Sequence, residues 1–162
     1  MNRNNKSSLL DGICIIMKRK KKGVDEMNAE IEKEIIRNFV VKSKQERILW
    51  ELQSRKYRDS VAFGRFCGAE IFKAQCLYPV ESWRSDILEN YLLQLGGTQN
   101  AYVLSTNGIC ECSLKEALAN LRGTIGIVYC GNGVGYYQGE PNPFKMPQYI
   151  LLKEGMKFQP LK

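Results

Sequence analysis

The sequence predicts an α+β domain: a mainly antiparallel sheet of about four to six strands with helices packed on one face. Three observations lead there. Two amphipathic segments at helical spacing precede the first β-prone segment, an Asn-Gly pair sits between two short apolar runs, and β-prone runs punctuated by Gly and Pro dominate the C-terminal third.

From Asn28 onward, Ile31, Ile35, Ile36 and Phe39 recur at helical spacing with Glu30, Glu32, Lys33 and Glu34 between them, which predicts an amphipathic helix capped by Asn28. Val40-Val41-Lys42 interrupts it. Ser43-Lys44-Gln45-Glu46 fits a capping box and opens a second helix that buries Ile48, Leu49 and Leu52 and carries Trp50 at its edge. A polar turn at Arg55-Lys56-Tyr57-Arg58-Asp59 then leads into Ser60–Cys67, where Val61, Phe63 and Arg65 alternate with Ala62 and Phe66, the period of a strand. Gly68–Glu81 reads as irregular, with one short strand near Cys76-Leu77-Tyr78.

Ser82 or Ser85 caps a helix carrying Ile87, Leu88, Tyr91, Leu92 and Leu95, which Gly96-Gly97 closes as a left-handed C-cap. Ala101–Ser105 and Ile109–Cys112 flank Asn107-Gly108, a hairpin signal. Ser113-Leu114-Lys115-Glu116 is a second capping box, opening a helix through Ala117, Leu118 and Leu121 to Gly123. Thr124–Cys130 is apolar on both faces, as a central strand is. Gly131-Asn132-Gly133 turns the chain into a run from Val134, and Gln148–Lys153 forms the last strand after Pro141-Asn142-Pro143.

Residues 1–26 stand apart and read as a disordered basic leader, with 27–162 as a single domain. A broken apolar stretch, Leu9–Met17, is followed by Lys18-Arg19-Lys20-Lys21-Lys22, the reverse of the order in a secretory signal. Three readings compete: a basic arm for nucleic acid or an anionic surface, a tail without function, and a misread untranslated region with the true start at Met27. The last is favoured, because Met27 opens directly into the helical pattern and Lys22-Gly23-Val24 is encoded AAR-GGN-GTN, which accommodates a ribosome-binding sequence. The leader holds seven Lys/Arg and three Asp/Glu, so it supplies +4 of the formal charge of +7, and 17 cations against 14 acids leave +3 for the remainder.

Composition restricts function further. With 162 residues, 44% apolar and 25% charged, the chain is long enough for one buried core. No apolar run approaches the roughly 20 residues of a membrane span, so no membrane is expected as a partner. The six cysteines are scattered, and without an export signal they read as reduced thiols in a cytoplasmic protein. Histidine is absent, which removes the commonest general base and the commonest metal ligand.

Each chemical motif has a bland competitor that the residues favour. Cys110-x-Cys112 with Cys130, and with Cys67 or Cys76, has no second closely spaced pair, so buried thiols are expected rather than a metal site, and no cofactor is expected. Cys112 stands just before a helix and Cys67 beside Arg65, but neither has an imidazole to activate it. Gly131, Gly133 and Gly135 lead into β-prone residues instead of a phosphate-binding helix. Glu111 and Glu116 are an ordinary carboxylate pair, with Glu116 already assigned to a cap.

What remains is contact. Trp83, Arg84, Tyr136 and Tyr137 are residue types that anchor protein interfaces. Arg55, Lys56, Arg58 and Arg65, interleaved with Tyr57, Phe63 and Phe66, form the nucleic-acid alternative. The first expectation is therefore a non-enzymatic cytosolic protein that binds another protein, for example a small bacterial inhibitor or toxin-immunity-type protein. The second is a nucleic-acid-associated protein, and the third an enzyme with a cysteine- or carboxylate-based site.

Overall fold

The computed structural model describes residues 22–80, 84–105, 108–121, 124–140 and 147–158, with backbone alone at 22–27 and 62–63. Among the described residues, five helices, α1 (Lys22–Phe39), α2 (Lys42–Gln53), α3 (Arg58–Ser60), α4 (Ser85–Gln94) and α5 (Leu114–Leu121), surround one sheet. Its strands are β1 (Leu77–Pro79), β2 (Asn100–Ser105), β3 (Gly108–Ser113), β4 (Gly126–Tyr129), β5 (Val134–Gln138) and β6 (Gln148–Leu152). They run in the order β1-β6-β5-β4-β2-β3, and every neighbouring pair is antiparallel. The chain is thus the α+β domain with a mainly antiparallel sheet that the sequence predicts.

Helices cover both faces of the sheet rather than one. Side chains alternate across a strand, and on β4 Ile127 and Tyr129 join the cluster under α1 and α2 while Val128, with Cys130 just past the strand, joins the cluster under α4 and α5. Leu151 and Leu152 on β6 divide in the same way. A strand buried on both sides has to be covered on both sides, and a single helical layer leaves half of these apolar groups in water.

The corner between α1 and α2 is built from long-range backbone bonds. Val41 N donates to Ile71 O at 3.0 Å and Lys73 N to Phe39 O at 2.8 Å, so the chain at 71–73 holds Val40-Val41 extended and stops α1. The expected capping box at Ser43 does not form: α2 begins two residues earlier, after Val41, without a side-chain cap. Gln45, buried, instead donates through Nε2 to Val40 O at 2.9 Å. Asn28 likewise lies within α1, which starts at Lys22, ahead of the expected boundary at Met27. Residues 1–21 lie outside the described residues.

The start of α4 also departs from expectation: the helix follows Arg84 without a side-chain cap, Ser85 is already its first residue, and Ser82 lies outside the described residues. At the end of α4 and the start of α5 the local signals operate as expected. At the end of α4, Gly96 adopts φ 105°, Gly97 N reaches Leu92 O at 3.0 Å and Gly96 N reaches Leu93 O at 3.2 Å, the double closure of a Schellman motif. Ser113 Oγ accepts from Glu116 N at 3.1 Å and caps α5. β2 and β3 pair from Asn100↔Ser113 to Ser105↔Gly108, the register of a two-residue hairpin, with Asn107 itself outside the described residues. The expected strand at Ser60–Cys67 is absent. Arg58–Ser60 is a helical turn that widens into a π turn at Val61–Arg65.

Candidate interaction surface

The π turn and α2 together shape the surface that stands out on this molecule. Along α2 the residues at helical spacing, Gln45, Ile48, Leu49 and Leu52, are buried against the sheet, so the intervening Lys44, Arg47 and Trp50 face outward. Trp50 is 60% exposed, the largest exposure among the large hydrophobic side chains described. After the helix the chain turns through Arg55-Lys56-Tyr57 and brings Tyr57, itself exposed, back against it. The two rings lie 5.5 Å apart at an interplanar angle of 36°. Lys56 Nζ stands 5.4 Å from the centroid of the Tyr57 ring, within cation–π range.

This turn is anchored by two arginines of the predicted basic cluster. Arg58 reaches back to Glu32 on α1 and donates through Nη1 to Leu52 O at 2.7 Å. Arg65 grips Glu51 with two bonds of 2.7 Å, and Arg47 adds a third to the same carboxylate at 3.1 Å. Those bonds to Arg65 hold the Glu51 carboxyl below the ordinary carboxylate range, against the opposing effect of its burial. Arg58 and Arg65 therefore fix the loop to the domain, while Arg55 and Lys56 stay exposed.

The other predicted contact residues are placed differently. Tyr137 is fully buried and its hydroxyl donates to Phe66 O. Tyr136 is buried with its hydroxyl 3.1 Å from Gln138 Oε1 and 2.9 Å from Gln148 Oε1. Both are core residues, as the alternation of β5 between two covered faces requires. Arg84 is exposed beside Asp86 at 3.5 Å, and Trp83 lies outside the described residues. Phe66 is buried, and the Phe63 side chain is outside the described residues. Of the two predicted sets, only Arg55 and Lys56 share a patch, and they share it with Trp50 and Tyr57. The sequence signal for Trp50 was its place between Leu49 and Leu52 on the polar side of an amphipathic helix.

The thiols are held protonated. Burial, with Glu116 and Glu111 nearby, pushes Cys112 up to about 11, and burial alone pushes Cys130 up to about 12. Cys67 is raised by burial and by the charges of Glu140 and Glu70. A thiol so shifted is a poor nucleophile at neutral pH. Among the described residues no group of three or more Cys, Asp or Glu is arranged to hold a metal ion. Nor is any helix among them long and apolar enough to cross a membrane. In the glycine-rich turn, Gly133 N donates to the Tyr129 hydroxyl at 3.1 Å and Val134 N to Gly131 O at 3.0 Å, so these amides serve the hairpin.

Comparison with known protein families, curated proteins and solved structures returns no match for this chain. Fold and surface alone carry the functional reading.

Proposed function

We propose that this is a non-enzymatic, cytosolic binding protein that acts on another protein by contact through Trp50 and Tyr57, in the manner of a small inhibitor or immunity-type protein. The single observation that carries the reading is the exposed Trp50 ring, held in place by Tyr57. An ordered aromatic in water gains burial on binding and loses little conformational freedom, which is the property of an interface anchor. The raised thiols weigh against the cysteine form of the third expectation, an enzyme with a cysteine- or carboxylate-based site. The nucleic-acid alternative retains Arg55 and Lys56 but has Arg58 and Arg65 committed to Glu32 and Glu51.

The test is affinity capture from the native host in parallel with Trp50→Ala/Tyr57→Ala. A protein retained by the native chain, lost from the variant and reconstituting a complex from purified components supports the reading. Equal retention by both sinks it.

A further inference from the structure

We infer that the partner of the Trp50 surface is an acidic protein segment, one that sets a hydrophobic side chain against the Trp50 ring and carboxylates against Lys44, Arg55 and Lys56. This rests on the contact reading above and adds the partner's charge. Between Arg37 and Arg65 the sequence carries eight cations and three acids. Two of those acids are engaged within the domain: Glu46 pairs with Arg37 at 2.6 Å, and Glu51 sits buried between Arg47 and Arg65, which leaves the exposed Asp59 as the one acid set against the exposed Lys42, Lys44, Arg55 and Lys56. Lys42, Lys44, Arg55 and Lys56 are exposed and form no ion pair among the described residues.

The placement of Lys42 and Lys44 strengthens the point. Both stand in the first turn of α2, which contains no acidic residue. A helix N-terminus already carries partial positive charge, so cations there oppose the helix dipole and raise the local potential. Eight residues of helix separate Lys42 from Trp50, roughly 12 Å. Exposed cations therefore lie at the start of α2 and, through Arg55 and Lys56, in the turn after it, where Lys56 stands at the Tyr57 ring; Glu46, one turn before Trp50 on α2, is occupied by Arg37. A surface so arranged steers and selects an anionic partner.

Single-stranded nucleic acid is the competing anion, and the geometry favours protein. Sequence-tolerant strand binding uses successive open ring faces along a groove of free cations. Here Trp50 and Tyr57 pack on each other, and the two arginines best placed to clamp phosphates are bound to carboxylates.

The experiment uses the whole chain, immobilised, with a phage-displayed library of random peptides depleted in each round on Trp50→Ala/Tyr57→Ala. Recovered peptides are compared with oligo(dT) and oligo(rU) for binding to the native protein and to Arg55→Glu/Lys56→Glu. The inference expects Trp50-dependent peptides enriched in Asp and Glu around a hydrophobic residue. It expects them to bind the charge-reversed protein about tenfold more weakly and to weaken as salt rises. Trp50-dependent peptides that lack acidic enrichment overturn the acidic partner and leave the contact reading standing. Recovery of no peptide that distinguishes the native chain from the aromatic variant overturns both. An oligonucleotide bound more tightly than any peptide, and dependent on Trp50, overturns the inference in favour of nucleic acid.

Discussion

Glu51 and Arg65 meet through two hydrogen bonds, Arg65 Nε to Oε2 and Nη2 to Oε1, each 2.7 Å long. The carboxylate is buried on α2 and the guanidinium comes from the π turn, so the pair ties the second helix to the loop that follows it. Arg65→Ala leaves the carboxylate with Arg47 alone and is expected to cost about 2–3 kcal/mol in urea unfolding. The pair also makes stability depend on pH. The folded carboxyl titrates below its ordinary value of 4.5, so its contribution is complete above that value and is lost as pH falls through the lower folded one. Urea melts over the acidic range should show a decline that is shallower in Arg65→Ala; equal slopes in the two proteins exclude this role.

The same pair explains a failure of sequence reasoning. Val61, Phe63 and Arg65 alternate as a strand does, yet the segment winds into a helical turn in which Arg58 and Arg65 meet carboxylates on α1 and α2. A tertiary ion pair has no local sequence signature, and it overrides strand propensity. Where the determining contact is local, the reading holds: Gly96-Gly97 closes α4 and Ser113 caps α5. The reading placed helices on one face only, although the apolar residues at both parities of Thr124–Cys130 already require a second covering layer. Trp50 was placed correctly at a helix edge, but its stacking on Tyr57 depends on the path of the turn between them.

Tyr129 predicts a polar contribution inside the core. Its hydroxyl donates to Glu34 and accepts from Asn38 Nδ2 at 3.3 Å and Gly133 N at 3.1 Å. Tyr129→Phe keeps the ring packed edge-on against Phe39 and removes only these bonds, leaving the buried Gly133 amide without its acceptor. The expected loss is about 1–2 kcal/mol by denaturant unfolding. An unchanged midpoint and slope contradict this account.

Gly135 predicts a steric limit at the centre of the sheet. A Cβ there meets Val128 O at 2.9 Å and Phe39 Cε2 at 3.6 Å, so α1 rests its aromatic ring where β5 carries no side chain. Gly135→Val forces either the strand pair or the helix to move and should cost roughly 2 kcal/mol or more. Pairing it with Phe39→Leu should recover part of that loss if the ring is the obstacle. No recovery identifies the β4 backbone as the obstacle instead.

The thiols predict a graded reactivity. Cys130 is fully buried, and Cys112 is half-buried with its titration moved up to about 11. Alkylation of the folded protein by iodoacetamide near neutral pH should therefore be slow at both positions. The rate at Cys112 should rise as pH approaches that value, and Cys130 should react chiefly after denaturation. Peptide mapping by mass spectrometry distinguishes the positions. Rapid labelling of Cys112 at neutral pH implies an activated thiolate and reopens cysteine chemistry for this protein.

Trp50 gives the sharpest contrast between a residue kept for the fold and one kept for contact. Its neighbours Leu49 and Leu52 are buried, and truncating Leu52 to Ala should cost about 2–4 kcal/mol from lost burial and the cavity left behind. Trp50 is 60% exposed and touches the Tyr57 ring in water, so Trp50→Ala should change stability by no more than about 0.5 kcal/mol. A large apolar ring with little effect on stability, fixed against Tyr57 with Lys56 beside it, has its use outside the folded monomer. Denaturant unfolding of the two variants side by side decides the matter. If Trp50→Ala is as destabilising as Leu52→Ala, the ring is structural, and the surface loses its claim to be a binding site.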